Sequence, residues 1–308
     1  VIEGWTAAQI PNLTGKRAIV TGANIGLGFQ SARELARAGA EVVLACRSVE
    51  RGQAAAARIQ AEQPAAQVYV AQLDLSELAS VRAFAAQVVE GGTLDILVNN
   101  AGIMALPGRQ TTVDGFEKQL GTNHLGHFAL TGLVLPALLA TPAPRVVSVS
   151  SNAHKRGKIH FDDLQLEHSY TPWAAYSQTK LANLLFAREL QRLSTAHGSA
   201  LVSTAAHPGL SATAIARDVK GPMAYLISAL FRLFGQDDAQ GALPQLYAAV
   251  APDAEPGGYY GPDGWMEFKG APAPAEVAPQ AQDAEAQKRL WAVSEQLTGV
   301  TYKWPGRS

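Results

Sequence analysis

From Arg17 to Ala206 the chain alternates short, almost wholly apolar runs with longer stretches of helical periodicity, and few architectures accept that order. Strand signals fall at Arg17–Thr21, Glu41–Cys46, Gln67–Leu73, Asp95–Asn99, Arg145–Ser150 and Ala200–Ala206. Between them, helical patterns run over Gly26–Ala38, Glu50–Gln63, Leu78–Glu90, Gly115–Leu139 and Ala175–Thr195. The apolar runs lack the polar alternation of a half-exposed antiparallel sheet, so both faces of each strand are buried. The pattern predicts an α/β fold: one doubly wound domain over residues 1–308, with a parallel sheet of about seven strands and helices on both faces. A seventh strand is expected near Tyr259-Tyr260 and a last helix over Ala284–Leu297, while Gly270–Gln282 reads as a Pro/Ala-rich surface loop.

Composition narrows the function classes. At 308 residues, with 47% hydrophobic and 17% charged, the chain has ample material for a core and is not disordered. Its 25 basic and 26 acidic residues leave a net charge of −1 with no long charge run, so no nucleic-acid partner is expected. A single cysteine, Cys46, forms neither an internal disulfide nor a thiolate zinc site, and a cytoplasmic location is the expectation. Val1–Lys16 lacks a signal-peptide pattern, and no stretch reaches the roughly 18 apolar residues of a membrane span. The longest apolar candidate, Pro222–Phe234, is interrupted by Arg232.

The segment Thr21-Gly22-Ala23-Asn24-Ile25-Gly26-Leu27-Gly28 lies where the first strand gives way to the first helix, so backbone N–H groups and the positive helix end converge there. A pyrophosphate suits that spot. Gly22 permits the sharp turn, Gly26 lets the ligand approach the backbone, and Gly28 allows close helix-to-strand contact, with Asn24, Ile25 and Leu27 completing the loop. About 20 residues further on, an NAD site carries an acid for the ribose 2′-OH, whereas a 2′-phosphate needs a cation. Here the second strand ends in Cys46-Arg47-Ser48, and the Arg47 fork favours NADP(H) over NAD(H). Asp74-Leu75 follows the third strand, where Asp74 can accept from an adenine amine or cap a helix; both roles stay open.

TGANIGLG, Asn99-Asn100-Ala101-Gly102 after strand four, Ser150-Ser151 after strand five, Tyr176-Ser-Gln-Thr-Lys180, and His207-Pro208-Gly209 after strand six resemble the short-chain dehydrogenase/reductase family in content, order and spacing. The resemblance covers essentially the whole chain and implies a Rossmann-type domain using a nicotinamide cofactor. It implies that Asn100, Ala101, Gly102, Pro208 and Gly209 line the cofactor, with Asn99 holding adjacent strands. Thr213 matches the family hydroxyl that meets the carboxamide or pyrophosphate, and Ser211 competes for that role.

On a helix, residues four apart share a face, so Tyr176 and Lys180 can address one substrate and one ribose. An ammonium about 5 Å from a phenol, at an effective dielectric of about 20, favours the phenolate by about 3 kcal/mol, or roughly two pKa units. By the resemblance, Tyr176 and Lys180 act with Ser151, which hydrogen-bonds the substrate oxygen, and Asn123, which kinks a helix and holds a water linking Lys180 to solvent. Ser150 reads as structural. Tyr176 then serves as acid for carbonyl reduction and base for alcohol oxidation.

The interval from Ser151 to Tyr176 is longer than in the simplest family members, giving an insertion over 152–172. With Ala45-Cys46-Arg47-Ser48, Lys180-Leu-Ala-Asn183 and Arg289-Leu-Trp291, its text resembles the retinol dehydrogenase and WW-domain oxidoreductase branch. That implies a small hydrophobic aldehyde, ketone or alcohol as substrate. A substrate lid is expected over about 209–236, although the apolar stretch within it also suits a core helix, an interface or a shallow membrane contact. The histidines lack a metal-ligand pattern, and no metal is expected. A silent NADP(H)-binding redox sensor and a protochlorophyllide-reductase-like enzyme are the alternatives, the latter disfavoured because Cys46 is the sole cysteine. A sugar-nucleotide epimerase would need a larger carboxyl-terminal domain. A homo-oligomer and a monomer both remain open.

Overall fold

The computed structural model describes residues 4–210 and 236–304. Its strands are β1 (Arg17–Thr21), β2 (Glu41–Cys46), β3 (Val68–Gln72), β4 (Ile96–Asn99), β5 (Arg145–Val149), β6 (Val202–Ala206), β7 (Tyr259–Pro262) and β8 (Pro272–Pro274). They form one sheet in the order β3-β2-β1-β4-β5-β6-β7-β8, parallel except for the β7–β8 pair. The helices are α1 (Gly26–Arg37), α2 (Val49–Glu62), α3 (Leu78–Glu90), α4 (Lys118–Leu120), α5 (Gly126–Leu139), α6 (Pro172–Ala196), α7 (Asp238–Val250) and α8 (Ala284–Thr298).

Successive strand residues point to opposite faces and feed two cores. On β1 and β2, Val20 and Leu44 join Trp5, Leu35 and Tyr247 on one face, whereas Ile19 and Val43 join Phe84, Phe128 and Phe186 on the other. Because β1 through β6 run parallel, their carboxyl ends share one edge of the sheet. The strand order reverses between β1 and β4, and the loops after those two strands part to open a crevice there.

Two expectations need correction. The sheet has eight strands rather than about seven, because part of the Pro/Ala-rich stretch read as loop pairs with β7 as β8. Pro272 and Pro274 cannot donate to a ladder, which confines this segment to an edge and hides it from pattern reading. The helix expected from Gly115 starts instead at Lys118, since Gly115 has φ +86 and belongs to the preceding turn. It is also not regular: Gly121–Leu125 is a π-helical turn, with Gly126 N–H reaching back to Gly121 O. The insertion forms a short 3-10 helix, Asn152–Arg156, followed by turns, and Pro172 opens α6 behind its Thr171 cap.

Gly126 lies where α5 crosses the loop after β3, and a Cβ there would run into the backbone oxygen of Leu75. Gly→Ala inside a helix ordinarily stabilises by about 1 kcal/mol. Gly126→Ala is expected to reverse that sign and cost about 1–3 kcal/mol, read as a lower urea midpoint.

Candidate active site

A cleft of about 350 Å³ opens at the β1/β4 switch, and Gly22, Asn24, Ile25, Gly26, Leu27 and Gly28 form its floor. Gly22 and Gly26 have φ +66 and +62, the left-handed region that other residues avoid. A Cβ on Gly28 would lie 2.6 Å from Gly22 O and 2.5 Å from Asn100 Nδ2. The N-cap of α1, Ile25, has no side-chain cap, so first-turn N–H groups stay available to a ligand. The cleft also reaches Arg47, Asp74, Leu75, Asn100, Ala101 and Gly102, all expected there.

Arg51, Ile103 and Thr122 line it too, and the sequence reading missed them. For Arg51 a signal existed. Ser48 accepts from Arg51 N at 3.3 Å as the cap of α2, and this start turns Arg47 and Arg51, four residues apart, toward one opening. The Thr122 hydroxyl is buried and has no partner among the described residues.

Roles within the cleft walls also shift. Asp74 Oδ1 accepts from Ser76 N at 2.9 Å and Ser76 Oγ at 2.6 Å, closing a local turn rather than capping α3, whose N-cap is Glu77, while the residue still borders the cleft. Asn99, expected to hold adjacent strands, instead donates to Thr131 of α5. The strand-holding contact belongs to Asn100, whose Nδ2 donates to Thr21 O at 2.7 Å. Cys46 is buried beneath the loop, and burial pushes its thiol up to about 11 against backbone hydrogen bonds from Ala23 and Asn24.

The second half of the site comes from α6 and the π-helical turn. Tyr176 and Lys180 sit one turn apart, with Lys180 Nζ 5.6 Å from the Tyr176 ring centroid. Ser151, two residues past β5, adjoins the Tyr176 phenol, whose proton affinity it lowers, and caps the following 3-10 helix by accepting from Ala153 N. Ser150 Oγ donates to Lys180 O at 2.7 Å and is tied up in holding α6. Lys180 Nζ donates to Val149 O at 3.1 Å, and Asn183 Nδ2 donates to the same oxygen. Asn123 lies in the π-helical turn: its Oδ1 accepts from Ile103 N, and its Nδ2 donates to Ile103 O and to Thr179 Oγ1. Gly102 adjoins both parts, since a Cβ on it would lie 3.4 Å from Asn123 Oδ1 and 3.6 Å from Lys180 Nζ.

Burial governs the proton affinities here. Tyr176 is pushed up to about 12 by desolvation, with the Ser151 hydrogen bond pulling the other way. Desolvation brings the Lys180 ammonium down to about 8. The one-turn spacing predicts the opposite direction for Tyr176; with the phenol buried, loss of water sets the direction. Trp173 is exposed and sets its ring edge-on to Tyr176, with centroids 5.9 Å apart.

Pro208 and Gly209 follow β6 beside this region, whereas Ser211, Thr213 and most of the expected lid lie outside the described residues. The histidines of the π-helical turn and α5 have ordinary partners. His124 Nε2 meets Ser294 Oγ at 2.8 Å, and His127 joins Thr21 Oγ1 to Asn123 O. Among the described residues no group of three or more His, Cys, Asp or Glu is placed to hold a metal, and no helix is long and apolar enough to cross a membrane.

Comparison with known proteins matches this arrangement. The chain is 43% identical over 303 residues to retinol dehydrogenase 12 of Mus musculus, covering 97% of this chain and 90% of that protein. It is 43% identical over 297 residues to polyprenol dehydrogenase of Mus musculus, covering 94% and 86%. A crystal structure of an uncharacterized protein from Mycobacterium Paratuberculosis superposes with a TM-score of 0.80 at 46% identity, covering 98% of this chain and 99% of that one. The family model described as short chain dehydrogenase matches residues 16–223, across the glycine loop, Ser151, Tyr176 and Lys180. The chain belongs to the short-chain dehydrogenase family, in its retinol dehydrogenase-like branch, and is an oxidoreductase acting on CH–OH groups with a nicotinamide dinucleotide.

Proposed function

We propose that the protein is an NADP(H)-dependent oxidoreductase interconverting a hydrophobic aldehyde or ketone with its alcohol, with Tyr176 as general acid and base. The observation that carries this reading is the convergence of Ser151, Tyr176 and Lys180 at the carboxyl edge of the sheet that also holds the glycine-floored cleft. The cleft fits a dinucleotide: small residues clear its floor, helix N–H groups serve a pyrophosphate, and the Thr122 hydroxyl awaits a partner. Arg47 and Arg51 on the cleft, with Arg47-Ser48 and no acid directly after β2, support a 2′-phosphate over a bare ribose.

When bound, the nicotinamide supplies or accepts the hydride. The protein's own work is on the proton. At neutral pH the buried phenol of Tyr176 carries its proton, ready for a carbonyl oxygen that Ser151 also engages. As that proton leaves, the Lys180 ammonium, anchored on Val149 O, stabilises the phenolate. Alcohol oxidation runs the same path backward and is favoured at higher pH. Asn123 holds the Gly102-Ile103 segment and Thr179, fixing the wall next to Lys180. The exposed Trp173 edge beside Tyr176 and the names of the relatives, retinol and polyprenol dehydrogenases, support an apolar, isoprenoid-like substrate. A lid over about 209–236 and a cytoplasmic location belong to the same proposal.

Tyr176→Phe is expected to lower kcat for retinaldehyde reduction by about 10²–10⁴-fold while leaving NADP(H) affinity unchanged, measured by absorbance at 340 nm and by titration. Full turnover in this variant would overturn the mechanism. Wild-type reduction should decline as pH rises through about 8, because Lys180 is charged below that pH and neutral above it. Lys180→Met should remove that limb of the profile. It should also raise Tm by about 2–4 °C, since an ammonium that burial disfavours is gone and Asn183 still serves Val149 O. Arg47→Asp is expected to cut the NADP/NAD ratio of kcat/KM at least about tenfold.

A further inference from the structure

Between β7 and β8 the chain carries two consecutive non-glycine residues in the left-handed region, Met266 at φ 52 and Glu267 at φ 56. L residues avoid that conformation, and two in succession persist only where surrounding contacts impose them. The contacts centre on the Glu267 side chain. Its Oε2 lies 3.4 Å from Nε2 of the fully buried His207 ring and 3.1 Å from Lys155 Nζ. Its Oε1 accepts from Glu276 N at 2.8 Å, and Lys155 also pairs with Glu276.

Both partners sit at positions that matter. His207 directly follows β6, and its Nδ1 accepts from Gly209 N at 3.2 Å. Accepting there leaves the proton of a neutral ring on Nε2, which faces Glu267 Oε2 at 3.4 Å and has no other hydrogen-bond partner among the described residues. Lys155 lies on the 3-10 helix that Ser151 caps. The strained segment touches the same loops through its backbone: Phe268 O accepts from Leu210 N at 2.8 Å, and Met266 O accepts from Asn152 Nδ2 at 3.4 Å. A Cβ on Gly209 would strike the Phe268 oxygen, and one on Gly261 would strike the His207 ring, so the packing is tight on both sides.

We propose that Glu267 is a positioning residue: its carboxylate fixes the His207 tautomer and grips Lys155, and so sets the Pro208–Gly209 and Ser151–Arg156 segments at the reacting end of the site. This rests on the functional reading above. The carboxylate–imidazole–amide order means that losing the acid frees the ring to exchange its proton between nitrogens, and Nδ1 then no longer accepts reliably from Gly209 N–H. The effect falls on the Pro208–Gly209 and Ser151–Arg156 segments, none of which lines the cleft that Arg47 and Arg51 border.

The test compares Glu267→Ala and Glu267→Gln with the wild type, using NADP⁺ and 2′-phospho-ADP-ribose, which lacks the nicotinamide. For the alanine variant we expect NADP⁺ affinity to fall about tenfold and 2′-phospho-ADP-ribose affinity to stay within about twofold. The glutamine variant, whose amide oxygen still accepts from Nε2–H, should recover most of the loss. Without any cofactor, ¹⁵N imidazole spectra should show His207 as a single Nε2–H tautomer in the wild type and a mixture in the alanine variant. Equal weakening of both ligands, no weakening of either, no recovery with glutamine, or an unchanged His207 spectrum would overturn the proposal. A wild type that binds neither ligand would instead overturn the functional reading, and the His207 spectra alone would then decide the clamp.

Discussion

The site depends on one buried hydroxyl. Thr21, the last residue of β1, is wholly inaccessible, and its Oγ1 accepts from the backbone N–H groups of Asn100 and Ala101, each at 2.9 Å. It meets His127 Nε2 at 2.9 Å, while His127 Nδ1 donates to Asn123 O at 3.0 Å. The chain closes only if the ring is neutral with its proton on Nδ1, so that Nε2 accepts from the threonine. Burial brings the His127 pKa down to about 4 and secures that state. One hydroxyl thereby joins the strand carrying the glycine loop, the loop leaving β4, and the π-helical turn holding Asn123. The crevice between β1 and β4 is open to a ligand yet fixed in width from beneath.

The same low dielectric that strengthens this chain makes the reacting groups costly to keep. Tyr176 and Lys180 are both displaced from their ordinary proton affinities in the direction that burial dictates, away from charge. A phenol near 12 is a weak acid that keeps its proton at neutral pH; an ammonium near 8 is poised to lose its charge. Neither value suits alcohol oxidation in the empty site. In the proposed mechanism Tyr176 would act as a base only with a positive charge beside it, which a bound oxidised nicotinamide would supply. Water exclusion then works with the chemistry, because the charge created is compensated where it forms.

Much of this was legible in the sequence because apolar strands and glycine turns are local signals. The ends of β1, β2 and α3 coincide with the expected ones, and the order of motifs placed Ser151, Tyr176 and Lys180 together. What escaped was whatever depends on contacts between distant segments. Nothing local in Gly115–Leu139 announces a π-helical turn, which arises where Asn123 bonds the Ile103 backbone. The exchange of roles between Asn99 and Asn100 turns on which side chain faces Thr21, and neighbouring strand residues face opposite ways. The direction of the Tyr176 shift needed its burial, which spacing along a helix does not contain. Glu267 carries no motif; only its backbone angles and its partners from the segments after β5 and β6 mark it.

The cleft and the neighbouring Ser151–Tyr176–Lys180 cluster are governed by different physics, and that division bears on how such a site can change. Arg47 and Arg51 are exposed on a helix start, where water and salt screen their charge and side chains move freely. On the proposed reading these two cations would favour a 2′-phosphate over a bare ribose. In the cluster Ser151, Tyr176, Lys180 and Asn123 are held by hydrogen bonds in a dry environment, where a displacement of tenths of an ångström alters both proton affinity and reach. Substitutions at the two arginines can therefore redirect cofactor choice while the reacting geometry stands. In the buried cluster, the packing that fixes one residue fixes its neighbours, and no single group can be retuned alone.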